Sequence, residues 1–79
     1  LMFAEHDRIS YSRLMDAAEA ALHASLQAAD DRGGETVYPA DLMGHPDQPD
    51  VLADYTRFEI EEASAFLARL GVIHARSAG

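Results

Sequence analysis

Four histidines are the first residues to consider for chemistry. His6, His23, His45 and His74 stand far apart, without the short spacing by which zinc sites bring imidazoles to one ion. His6 lies between Glu5 and Asp7 in a charged cluster, and His23 falls on the polar side of a helical segment. His45 with Asp41, Asp47 and Asp50 is the densest set of cation ligands. It lacks the regular spacing and central glycine of a calcium loop, so a solvated loop is expected. Glu59, Glu61 and Glu62 could be paired carboxylates, but acid–base work needs a buried setting that raises one pKa. A solvated helix N-terminus accounts for them more simply, because the helix dipole favours negative charge there. Gly33-Gly34 has neither the spacing nor the lysine of a phosphate loop. There is no cysteine, no serine beside a histidine and no nucleophile elbow. The expectation is a chain with no catalytic residue, no cofactor and no metal.

Composition narrows the partners. Seventy-nine residues suffice for one domain, spanning 1–79. A core this small is marginal alone, and without disulfides the missing stability must come from helix packing or a second subunit. Fourteen acidic residues face six arginines and no lysine, for a formal net charge of −8. Phosphate neutralisation needs cations that this chain lacks, so nucleic acid is disfavoured and a basic protein partner is expected. No apolar run is long enough for a bilayer, and Leu1-Met2-Phe3-Ala4 is too short for a signal-peptide core. A cytoplasmic location is the default expectation.

Residues 7–29 must supply the main scaffold. Tyr11, Leu14, Met15, Ala18, Leu22, Ser25, Leu26 and Ala29 recur at helical spacing and predict one apolar face on a helix roughly 33 Å long. That stripe exceeds what one helix can cover, so Tyr11, Leu14, Met15, Leu22 and Leu26 are candidates for self-association into a homodimer. Gly33-Gly34 stops the helix. Glu35-Thr36-Val37-Tyr38 is β-prone, Pro39 to Met43 reads as a turn or two of helix closed by Gly44, and the prolines at 46 and 49 mark a loop. Asp50 can cap a helix beginning at Val51.

The strongest local signal is Thr56-Arg57-Phe58-Glu59, a capping box, with Tyr55 and Ile60 placed as its hydrophobic staple. Ile60, Ala63, Phe66, Leu67 and Leu70 form the expected apolar face, and Gly71-Val72 fits a Schellman stop. A helix over 57–70 follows, with a break before Thr56. Phe58 falls off the Ile60 face beside the glutamates, so Phe58, Glu59, Glu61 and Glu62 are the candidate partner-binding residues. The fold class is mainly α, with a long N-terminal helix, a short helix and a C-terminal helix. Residues 72–75 are β-prone and can pair with 36–38. If no break occurs near Thr56, residues 50–70 instead make an αα-hairpin, and two hairpins a dimeric four-helix bundle.

In this order of elements, Glu35-Thr36-Val37-Tyr38-Pro39-Ala40-Asp41-Leu42 and the run from Glu61 to Ile73, ending Leu67-Ala68-Arg69-Leu70-Gly71-Val72-Ile73, resemble winged helix-turn-helix domains over residues 35–76. The resemblance implies a DNA-binding transcriptional regulator, with Arg57, Arg69 and Arg76 as the phosphate or base contacts. Three glutamates at the start of the would-be recognition helix would repel phosphate. The residues themselves therefore favour a small acidic, non-enzymatic protein-interaction or regulatory module that associates with itself. A winged-helix regulator is the alternative, and an acidic DNA-mimic inhibitor a further one.

Overall fold

The computed structural model describes residues 10–31, 33–34 and 37–74. Helix α1 spans Tyr11–Asp31 and helix α2 spans Arg57–Arg69. Two short 3-10 turns, Pro39–Leu42 and Asp50–Leu52, lie on the path between them. The part of the expected N-terminal helix before Ser10 lies outside the described residues.

Ser10 starts α1: its Oγ accepts from the Arg13 amide at 3.2 Å, and its carbonyl accepts from the Leu14 amide at 2.8 Å. A hydroxyl in that position satisfies one of the donors that a helix start leaves open. At the far end Gly34 donates back to the Ala29 carbonyl at 2.6 Å, with Gly33 and Gly34 both at positive φ. The glycine pair is thus the stop that its conformational freedom allows.

The expected apolar face of α1 is corrected in part: Ala18 and Ser25 of it are buried and Leu14 and Leu22 pack against the core, but its centre is displaced. The residues it buries are Ala17, Ala18, Ala20, Ala21, Ala24, Ser25 and Ala28. At 3.6 residues per turn, this face is rotated about a quarter turn from the stripe of large side chains. Leu14, Met15 and Leu22 are half-buried, whereas Tyr11 is 75% exposed and Leu26 60% exposed. The physical reason is closeness of approach. Alanine lets α2 and the intervening turns lie against the helix backbone, and these supply the bulk: Leu42, Leu52, Ile60, Leu67 and Ile73 are all buried.

The break at Thr56 is present, so residues 50–70 are not one helix and the long αα-hairpin does not form. The expected helix after an Asp50 cap is a single 3-10 turn, which begins at Asp50 itself and follows Pro49. The capping box is complete: Glu59 N–H donates to Thr56 Oγ1 at 3.1 Å, and Thr56 N–H donates to Glu59 Oε1 at 2.9 Å. At the other end Val72 N–H reaches the Leu67 carbonyl at 3.1 Å and Gly71 N–H the Ala68 carbonyl at 3.0 Å. With Gly71 at φ +79°, this is the Schellman closure.

Helix α2 turns Ile60, Ala63, Ser64 and Leu67 inward, leaving Phe66 half-buried and Leu70 exposed. Both buried hydroxyls have partners, Ser25 Oγ donating to the Val37 carbonyl at 2.8 Å and Ser64 Oγ to the Ile60 carbonyl at 2.7 Å. The first of these ties the returning chain to α1. Among the described residues there is no strand. Residues 36 and 75 of the expected strand pair lie outside them.

The inward alanine face predicts opposite outcomes at two α1 positions. Ala21→Leu should overpack a fully buried site and cost about 1–3 kcal/mol. Leu26→Ala should stay within about 0.5 kcal/mol. Thermal melts followed by circular dichroism check both, and a reversed order would contradict the placement of this face.

Candidate functional site

The site is built around Arg13, a residue that no sequence motif singles out. Its guanidinium makes a two-pronged contact with Glu59: Nε donates to Oε2 at 2.8 Å and Nη2 to Oε1 at 3.0 Å. Nη2 also donates to the Asp54 carbonyl, and the group sits 4.3 Å from the centroid of the Tyr55 ring. Planar, forked donors make arginine suited to binding carboxylate and ring at once. One side chain in the first turn of α1 thereby fixes the segment before α2 and the first turn of α2 itself.

Glu59 is consequently both a cap and a tie. Hydrogen bonds from the Arg13 side chain, then from the Thr56 backbone, pull its pKa from an ordinary 4.5 down to about 2. Its side chain is 19% exposed. The expectation that Glu59 lines an outward acidic face meets a carboxylate already engaged on both oxygens.

With that tie in place, α1 and the segment following the Pro49 loop form two walls of a cleft of about 380 Å³. Asp16, Glu19, Ala20 and His23 line it from α1, at the i, i+3, i+4, i+7 spacing that puts them on one helix face. Asp50, Val51, Asp54 and Tyr55 line the other wall. Four carboxylates share this lining with Ala20, Val51 and Tyr55. Of these cleft residues the sequence marks Tyr55, as part of the staple, and Asp50, as a cap and as a neighbour of His45. Asp16, Glu19 and His23 read in sequence only as the polar side of a helix, because their facing partners are more than twenty-five residues away.

The other candidates are distributed as follows. Phe58 is 47% exposed, on the side of α2 away from Ile60. Glu62 is exposed, and Glu61 is half-buried with Arg57 at 3.8 Å, one helical turn away. Arg69 is exposed in the last turn of α2. Arg76 lies outside the described residues. His45 is exposed in the loop, where Gln48 Oε1 accepts from the Gly44 amide at 2.8 Å. Among the described residues no group of three or more His, Asp or Glu side chains could hold a metal ion, and no helix is long and apolar enough to cross a membrane.

The chain matches no protein-family model, no curated protein and no solved structure. Geometry and charge are left to carry the functional reading.

The tie has a pH signature. Glu59 titrates lower in the folded chain than when unfolded, so its stabilising contribution is complete above about pH 4.5 and is lost as pH falls toward 2. Glu59→Gln should lower the melting temperature at neutral pH. The gap between variant and wild type should close over that acid range. A gap that stays constant between about pH 5 and about pH 2 would mean that Glu59 is not held by Arg13.

Proposed function

We propose that this chain is a small acidic, non-enzymatic protein-interaction module that receives a basic segment of a partner protein in the cleft between α1 and residues 50–55. The observation that carries the reading is that Asp16, Glu19, Asp50 and Asp54 line one cleft together with Ala20, Val51 and Tyr55. A cationic side chain with an apolar stem matches both parts, since lysine and arginine bury their methylenes while keeping the charge at the rim. A lysine-free chain of net charge −8 adds long-range attraction for such a segment. The DNA-binding alternative draws less support, because Arg57 faces Glu61 and the three glutamates at the start of α2 remain next to any phosphate contact.

Titration with a short Lys/Arg-rich peptide tests the reading. Binding should weaken steeply between about 0.01 M and about 1 M salt, as the screening length falls from ~30 Å to ~3 Å. Asp16→Asn combined with Asp50→Asn should weaken it several-fold, consistent with roughly 0.2–1 kcal/mol for each exposed pair. Glu62→Gln, on the outer side of α2, should leave it within about twofold. A larger effect from Glu62→Gln or Phe58→Ala would move the docking surface to α2, and preferential binding of duplex DNA would favour the winged-helix alternative.

A second copy of the chain is the partner proposed for the outer stripe of α1, where Tyr11 and Leu26 are exposed beside the half-buried Leu14, Met15 and Leu22. Light scattering should report a dimer that Leu26→Asp, together with Tyr11→Asp, converts to monomer. A wild-type monomer at high concentration would remove this part of the reading.

A further inference from the structure

The outer stripe of α1 reads the same from either end. Tyr11 and Leu26 are its exposed members, and Met15 and Leu22 are half-buried between them. At 3.6 residues per turn, these four side chains fall within an arc of about 60°. Leu14 lies outside that arc, on the side that packs against the core. The intervals along the chain are four, seven and four residues, with the midpoint between Ala18 and Glu19. A two-fold interface uses one patch twice, so where residue i meets residue j of the partner, j also meets i. An antiparallel pair of α1 helices therefore sets Tyr11 against the partner's Leu26 and Met15 against the partner's Leu22, and leaves none of the four unmatched. The charges at the helix ends select the same direction. No acidic side chain stands in the first turn of α1 and no basic one in its last, which closes on the exposed Asp30 and Asp31. These aspartates sit at the negative end of their own helix dipole. An antiparallel copy brings the positive start of its α1 towards them, whereas a parallel copy would place four aspartates side by side.

We propose that the occupant of this stripe is a second copy of the chain whose α1 runs antiparallel, with the two-fold axis at the Ala18–Glu19 midpoint. The proposal rests on the self-association reading and adds the direction and register of the pair. It uses Tyr11, Met15, Leu22 and Leu26, and not Leu14. The same axis brings the exposed Glu19, at the outer edge of the stripe, beside the partner's Glu19. Two unit charges at the roughly 8–10 Å spacing of packed helices weaken such a pair only about twofold in water.

The chain has no cysteine, so single introduced thiols report the pairing. Tyr11→Cys, Glu19→Cys and Leu26→Cys, each in the whole chain, are treated with a short thiol-to-thiol crosslinker at a concentration where light scattering reports a wild-type dimer. Glu19→Cys alone should give a crosslinked dimer. Neither Tyr11→Cys nor Leu26→Cys should crosslink to itself, because antiparallel pairing holds its two copies ~22 Å apart along the helices. An equimolar mixture of these two should crosslink. Glu19→Cys keeps all four stripe side chains, so it still reads the pairing if an end variant dissociates. Tyr11→Cys and Leu26→Cys each crosslinking to itself would overturn the antiparallel direction, and an unreactive Glu19→Cys dimer would overturn the register. Either result leaves self-association standing. A wild-type chain that stays monomeric removes both readings together.

Discussion

Arg13 holding Glu59 is the interaction on which the rest of the arrangement depends. The two residues lie in the first turns of their helices and are forty-six positions apart in the chain. The same guanidinium reaches the Asp54 carbonyl and covers Tyr55, so the chain entering α2 is fixed together with α2 itself. Without this tie, the capping box would still start the second helix, but nothing equally specific would set where that helix starts relative to the first. Hydrogen bonds between two charged groups are stronger and more directional than neutral ones, and the forked geometry fixes orientation as well as distance. The apolar contacts behind it are made largely by alanine, and small side chains give close approach with little lock-and-key detail.

That division of labour explains what could be read from the sequence. Elements bounded by local chemistry were legible: the Thr56–Glu59 box, the Gly71 stop and the Gly33-Gly34 stop each involve residues within a few positions of one another. The centre of the buried face of α1 was not legible, although the pattern puts Ala18 and Ser25 on that face. A hydrophobic pattern weights Leu, Met and Tyr over Ala, yet the helix packs along its alanines because its partners carry the bulk. Only the placement of Leu42, Leu52, Ile60 and Leu67 against it determines which side is inside. The pattern places Ser25 on the inward face without its role and leaves Ser64 unplaced, since a buried hydroxyl makes sense only once its carbonyl partner is known. Arg13 looked like one more solvated charge, because its partners are remote in sequence.

The acidic cleft follows from the same geometry and works against it. Asp16 and Glu19 face Asp50 and Asp54 across the cleft, and like charges at short range disfavour the folded chain. Stability would be better served by lysine or by neutral residues on one wall, and the chain has no lysine at all. The repulsion acts where Arg13 anchors the end of the same wall, through Asp54 and Tyr55. The tie therefore does more than orient α2: it keeps two mutually repelling surfaces at a fixed separation. A cation entering the cleft relieves that repulsion directly, so binding and stability are coupled by mass action. Dissolved salt relieves it as well, through screening. On the reading proposed above, a basic segment and dissolved salt compete to relieve this repulsion, so salt weakens docking while it screens the cleft.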